Sequence, residues 1–345
     1  MSDNYRKASE MQGVLKLREM MKELPVFITE FFRGMADYTS IGTRVGYAFD
    51  LKIFFTYMSE EVAHKNNRDF TLEDLATLKV DDIENFMEYL SYYLKEDTAM
   101  QNDAQGKSRK LAAVRSMFKY FYGKGKIPAN PAELVGFPKL SKKAIIILEP
   151  NEVRKLLDTV ESGEKLTEHQ QKYHELTKIR DVALITLLLG TGMRVSECVG
   201  VNILDINFDT GGVKVTRKGG DEMILYFARE VAEALESYLA VRKSITAKEG
   251  HESALFLSLQ NRRITERAVQ KLVKKYASLI TTIKNISPHK LRTTFATHLY
   301  DETHDIYLVA DILGHADVNT TRKHYAKMDE NRRRAAAKSV KLRRD

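Results

Sequence analysis

The chain has 345 residues, 43% of them hydrophobic and 30% charged, with 55 Lys and Arg against 47 Asp and Glu for a formal net charge of +8. That length allows two domains with separate cores, and the basic balance fits a polyanionic partner, nucleic acid before acidic membrane. A single cysteine, Cys198, excludes an intramolecular disulfide framework and a Cys-based zinc cluster, and with no long apolar run for a signal peptide or membrane span, a soluble cytoplasmic protein with no membrane partner is expected.

Residues 1–42 read as a short helical extension. From Thr43 onward, Val45, Ala48, Leu51, Phe55 and Met58 recur every three or four positions, the spacing of one helix face. Leu111, Val114, Phe118 and Phe121 repeat it. Between them TLEDLATLKVDDIENFMEYLSYYL, 71–94, reads as two helices with Thr71 and Asp81 as N-caps, so the first third is expected to be all helical. Residues 123–150 hold four of the six prolines, which stop a helix from continuing; the inter-domain linker is placed at 136–150.

After Pro150, NEVRKLLDTV restarts a helix with Val153, Leu156, Leu157 and Val160 inward. VALITLLLGTGMRVSECVGV, 182–201, reads as an apolar helix, a Gly-Thr-Gly break and a second helix. GGVKVTRKGGDEMILYF, 211–227, alternates and carries β-branched residues around a Lys-Gly-Gly-Asp turn, the pattern of a β-hairpin. The remainder is expected to be helical, ending in a basic tail at 329–345 whose simplest explanation is a solvated helix end.

Polar residues beside these apolar runs carry the chemical signal. Arg194 follows LLLGTGM and either pairs with Glu197 one turn on or points into a cleft. His289 and Arg292, three apart after Pro288, project from one face near a helix N-terminus, where an anion is favoured. His315 follows Leu313-Gly314, a position suited to a helix C-cap; Tyr325 alone could be a core aromatic. Together they match what phosphoryl transfer asks of a protein: several donors around one phosphorus, a proton donor for the leaving oxygen, and a nucleophile in line.

The stretches GTGMRVSE, TRKGGDE, HKLRTTFATH, LGHADVNTT and HYAKM resemble the tyrosine recombinase, or phage integrase, family, whose order is Arg, Lys in a β-hairpin, His-x-x-Arg, His, then Tyr. TRVGYAFDLKIFFTYM and RKLAAVRSMFKYFYGKGKIPANPAE look like the helical core-binding domain of its Xer-like bacterial branch. The resemblance implies a mainly α fold with a small antiparallel β-hairpin or sheet: a SAM-like helical core-binding domain at 43–135 and an α+β catalytic domain at 151–328, forming a C-shaped clamp on DNA.

It also implies roles. Arg194, Arg292 and His315 would surround the scissile phosphate, and Tyr325 would attack it to form a 3′-phosphotyrosyl bond. Lys218 would protonate the leaving 5′-oxygen, His289 would assist proton movement at the tyrosine, and Glu197 would support Arg194. Because the phosphotyrosyl link conserves the energy of the broken bond, the reaction needs no cofactor, neither metal nor ATP. Candidate DNA contacts in the first domain are Thr43, Arg44, Lys107, Arg109, Lys110 and Arg115. The expected partners are double-stranded DNA with inverted-repeat sites and further copies of the chain, a dimer on one site and a tetramer in synapsis, with the tail docked on a neighbour. The place of action would be the bacterial nucleoid, in integration, excision, inversion, dimer resolution or mobile-element transfer.

One departure stands out. The family hairpin usually reads Gly-Lys-Gly with basic residues after it, whereas here Arg217-Lys218-Gly219-Gly220 precedes Asp221 and Glu222. Arg217 is a second candidate for the proton donor, but a guanidinium gives up its proton too reluctantly, and Lys218 is preferred. Two other functions stay open at this point: a DNA-binding regulator without chemistry, and a type IB topoisomerase-like enzyme.

Overall fold

The chain opens on two helices, Ser2–Met21 (α1) and Ile28–Gly34 (α2), followed by the helix predicted from Thr43, which runs Ile41–Tyr57 (α3). Ser40 caps α3 by accepting from the Thr43 amide at 3.3 Å. A π-helical turn at Met58–Val62 leads to Leu72–Thr77 (α4) and Val80–Tyr89 (α5). Thr71 caps α4 as expected, in a capping box with Asp74. Asp81 does not cap α5: the helix starts at Val80, and the Asp82 carboxylate reaches back to accept from the Lys79 amide at 2.7 Å.

The first third is not all helical. Tyr93–Lys95 (β1) pairs antiparallel with Thr98–Met100 (β2), with Tyr93 opposite Met100. Asn102 closes this hairpin by donating to the Leu90 carbonyl from both its amide and its side chain. Then Ala104–Gly123 (α6) runs twenty residues and buries Leu111, Val114, Phe118 and Phe121, the face its spacing predicts. Phe54, Phe55, Phe86, Phe118 and Phe121 meet in one aromatic core, Phe54 edge-on to Phe86 at 5.2 Å. Leu17, Met20, Leu24, Ile28, Phe31 and Phe32 join the same core, so much of the apolar surface of residues 1–42 is spent inside this unit. Residues 4–143 form one compact unit and 144–345 a second; the described residues are 2–95, 98–141, 145–217, 220–314 and 318 of this computed structural model, with backbone alone at 2–4, 6 and 95.

The second unit starts from Pro150–Ser162 (α7), which buries Leu156 and Val160. Glu168–Thr191 (α8) is capped by Thr167 and buries Ala183, Leu184, Ile185, Leu187 and Leu188 in its last turns, the all-round apolar pattern of a helix enclosed by others. Val195–Gly200 (α9) follows the Gly-Thr-Gly break. The expected hairpin is present as Gly212–Thr216 (β4) and Glu222–Tyr226 (β5), with Val213 opposite Leu225, and a short strand Ile206–Asn207 (β3) adds a third member. The remaining helices are Arg229–Arg242 (α10), Glu266–Ile280 (α11), Pro288–Thr303 (α12) and Ile306–Leu313 (α13). α8 packs against α7, α10 and α12.

Residues 243–265, expected to be helical, are mostly irregular. Two buried arginines hold backbone here, Arg242 that of this stretch and Arg263 that at the end of α9. Arg242 donates to Ala254, Ile245 and Glu252, and Arg263 to Val199, Val201 and the Asn202 side chain. No helix among the described residues is long and apolar enough to cross a membrane.

Candidate active site

The site is built from three chain reversals in the second unit. At the first, Gly192 ends α8 in the left-handed conformation with φ 63°, and a Cβ there would collide with the Phe295 ring; only glycine fits both demands. Arg194 then takes the N-cap position of α9. Its amide donates to Glu197 Oε2 at 2.7 Å and its guanidinium to Glu197 Oε1 at 2.8 Å. One carboxylate therefore caps the helix backbone and fixes the arginine at once.

At the second reversal Pro288 occupies the first turn of α12, where its missing N–H costs nothing. His289 follows it on the exposed side, and Arg292 points inward and is buried. Arg292 donates through Nη1 to the Gly192 carbonyl at 2.8 Å and through Nη2 to the Leu313 carbonyl. Its Nη1 also lies 4.0 Å from Glu197 Oε2. Glu197 is thus shared by both arginines, and its side chain is only 3% exposed, against 34% for Arg194 and 7% for Arg292. A carboxylate this deep is tolerable only because it is paired and hydrogen-bonded.

At the third reversal Gly314 ends α13 with φ 60°. Arg194 Nη2 donates to the Gly314 carbonyl at 3.4 Å, and Arg217 donates to the carbonyls of Asp311 at 3.2 Å and Ile312 at 2.8 Å. Four successive carbonyls, 311 to 314, are therefore taken by three arginines from three different elements. The negative end of a helix dipole suits that concentration of positive charge. Lys218, His315 and Tyr325, and the tail 329–345, lie outside the described residues. Arg194, Glu197 and Arg292 come together, and Arg194 pairs with Glu197 as the first of its two sequence readings has it, with a third of its side chain left in solvent.

The DNA-contact candidates of the first unit separate into two groups. Lys110 is buried, donates to Asn102 Oδ1 at 2.7 Å and lies 3.9 Å from the buried Asp50; burial pushes its ammonium below the ordinary lysine value. Arg115 spends its guanidinium on the carbonyls of Ala132, Glu133 and Val135 and stacks on Phe137 at 4.4 Å. Both are committed to the fold. Arg109 is 63% exposed while donating to Asp50, Lys107 bonds the Ser91 hydroxyl at the surface, and Thr43 and Arg44 sit half-buried on the first turn of α3.

With this geometry in place, comparison decides the family. The family model described as "Phage integrase family" matches residues 147–332, more than half of the chain. The chain belongs to the phage integrase family. Among relatives of this recombinase, a tyrosine recombinase XerC of Caldanaerobacter subterraneus subsp. tengcongensis is 33% identical over 334 residues, covering 93% of this chain and 88% of the relative. Another XerC, of Chlorobaculum tepidum, is 32% identical over 307 residues, covering 86% and 88%. In fold this tyrosine recombinase is similar to the XerH site-specific recombinase bound to a palindromic difH substrate, with TM-score 0.66 at 22% identity, covering 87% of this chain and 80% of that one. It is also similar to the Tn1549 transposon integrase in complex with circular intermediate DNA, with TM-score 0.64 at 19% identity, covering 89% and 97%. The chain is an Xer-like site-specific recombinase, an enzyme, with a mainly helical fold.

Sequence reasoning missed two of the arginines that organise the site. Arg217 was weighed only as an acid, and Arg263, which holds the carbonyls at the end of α9, carries no local signal because its partners lie more than sixty residues away. It also missed a buried polar cluster on α8 and α11: His174 Nδ1 donates to the Tyr276 hydroxyl at 3.1 Å, and that hydroxyl donates to Asp181 at 3.1 Å.

Proposed function

We propose that this recombinase binds double-stranded DNA and cuts one strand by in-line attack of the Tyr325 hydroxyl on a backbone phosphate. The attack forms a 3′-phosphotyrosyl bond and releases a 5′-hydroxyl. Arg194, Arg292 and His315 stabilise charge on the non-bridging oxygens, Lys218 gives its proton to the leaving 5′-oxygen, and His289 assists the proton leaving the tyrosine. Glu197 holds the two arginines in register. The observation that carries this reading is the sharing of Glu197 by Arg194 and Arg292 beside the carbonyl run that leads directly into His315.

Residues 43–135 supply DNA grip and residues 151–328 the chemistry, joined by the linker at 136–150. Thr43, Arg44, Lys107 and Arg109 are the phosphate contacts; Lys110 and Arg115 are left out because other groups hold them. Two copies occupy an inverted-repeat site, four make the synapse, and the tail at 329–345 docks on a neighbour. The reaction proceeds in the cytoplasm on chromosomal or mobile-element DNA.

A plasmid carrying two copies of the site, recovered from the host sequence flanking the gene, tests the reading against its rivals. Exchange of the flanking DNA supports recombination. Relaxation of supercoils without exchange would identify a topoisomerase-like enzyme, and binding with neither would identify a regulator.

A further inference from the structure

The hairpin β4–β5 leaves one side chain that does not stay with its sheet. At its tip the Arg217 amide donates to the Asp221 carbonyl at 2.7 Å and the Gly220 amide to the Arg217 carbonyl at 3.0 Å. The Arg217 side chain instead crosses to α13 and donates to the carbonyls of Asp311 and Ile312, 94 and 95 residues away. It lies against Gly314 so closely that any Cβ there would collide with the guanidinium. One terminal nitrogen, Nη2, serves both carbonyls at the C-terminal, negative end of α13, where positive charge is favoured.

The charges at the tip make that hold significant. Asp221 and Glu222 are acidic, and Glu222 already pairs with Lys214 at 3.2 Å. These two carboxylates would not draw the tip onto a phosphate. What ties the hairpin to the arginine-lined carbonyl run is Arg217, and the residue that follows Arg217 in the chain is Lys218.

We infer that Arg217 is a positioning residue: its bonds to the Asp311 and Ile312 carbonyls set where Lys218 stands relative to the phosphate held by Arg194 and Arg292. The inference rests on the reading of Lys218 as the proton donor. In the step concerned the Tyr325 hydroxyl gives up its proton with the help of His289 as its oxygen bonds to phosphorus, the phosphorus–O5′ bond breaks, and the Lys218 proton passes to O5′. Loss of the latch slows that proton delivery while leaving the DNA grip intact.

The test uses the full-length protein on two nicked duplexes, one with the ordinary 5′-oxygen at the cleaved bond and one with sulfur in its place. A thiolate leaves without a proton, so the sulfur duplex bypasses the acid. Arg217→Ala is expected to form covalent complex on the oxygen duplex about 10 to 100 times more slowly, a partial loss below the roughly 10²–10⁴ that a general acid supplies in full, with duplex affinity within about threefold. Arg217→Lys, which keeps one donor, should fall between it and the parent. On the sulfur duplex both Arg217→Ala and Lys218→Ala should regain rates close to the parent's.

If Lys218→Ala regains its rate on sulfur and Arg217→Ala does not, Arg217 does not act through Lys218 and the inference is overturned. Parent-like cleavage of the oxygen duplex by Arg217→Ala overturns it as well. If Lys218→Ala gains nothing from sulfur, the reading of Lys218 fails, and the inference falls with it.

Discussion

Arg292 and Leu313 are joined by a hydrogen bond from the guanidinium to the backbone carbonyl, across 21 residues and two helices. The same guanidinium holds the Gly192 carbonyl, so one side chain on α12 pins the end of α8 to the end of α13. These are the segments that lead into Arg194 and His315. The arginine therefore acts as a structural bracket as well as a charge, and a point charge cannot replace it. Arg292→Lys should lower the rate of covalent complex formation by about 10² to 10³ while duplex affinity stays within a few-fold. Single-turnover cleavage beside a binding titration checks this; parent-like cleavage by Arg292→Lys would show that the fork is not needed.

The first unit offers a contrast between two lysines on one helix. Lys110 is buried beside Asp50, whose carboxyl burial pushes up even with Arg109 and Lys110 nearby. Lys110→Met leaves that carboxylate short of a partner and should cost about 3 kcal/mol of stability. Lys107, at the surface, should cost less than about 0.5 kcal/mol when changed to Ala but should weaken duplex binding and reduce its salt slope by about one. Denaturant unfolding and salt-dependent binding, run on both variants, separate the two roles; a stability loss at Lys107 matching that at Lys110 would contradict the assignment.

His174 gives the fold an acid limit. Burial, with Lys275 nearby, pushes its imidazole below the ordinary histidine value, so it stays neutral in the folded protein while donating to Tyr276. The unfolded chain takes up a proton below about pH 6.5. The stability this site contributes is therefore complete above that pH and drains away as pH falls toward the depressed folded value. Between pH 7.5 and 5.5 the parent should lose more unfolding free energy than His174→Gln; equal losses would place the acid sensitivity elsewhere.

Cys198 is buried on α9, and burial pushes its thiol up to about 12. At pH 8 it should remain a thiol and resist alkylation in the folded protein, reacting fully once denaturant is added. Fast native-state alkylation would show that α9, which begins beside Arg194, opens in solution.

Much of this was readable from residue spacing because the spacing is itself the physical cause. The face of α6 at Leu111, Val114, Phe118 and Phe121, the break at Gly192 and the β4–β5 alternation are local patterns, and each became the element it implied. The β1–β2 hairpin was missed because YYL continues an apolar run that a helix would also accept. Residues 243–265 were missed for a different reason: the carbonyls of Ile245, Glu252 and Ala254 are held by the Arg242 side chain in place of a helix ladder, and an arginine bonding loop backbone leaves no periodic trace. At the site, motif order singled out Arg194 and Arg292 and the one-turn spacing from Arg194 pointed to Glu197, but the carbonyl run from 311 to 314 that gathers the arginines became visible only in three dimensions. Lys110 and Arg115 looked like their exposed neighbours because charge alone does not reveal which lysine or arginine a fold has already engaged.

The most direct test of the account is a nicked duplex that traps the cleaved strand, offered to Tyr325→Phe beside the parent protein. The parent should become covalently joined to the DNA through a tyrosine, and Tyr325→Phe should bind the duplex with parent-like affinity and form no covalent product. A covalent product with Tyr325→Phe would mean that another residue attacks the phosphate.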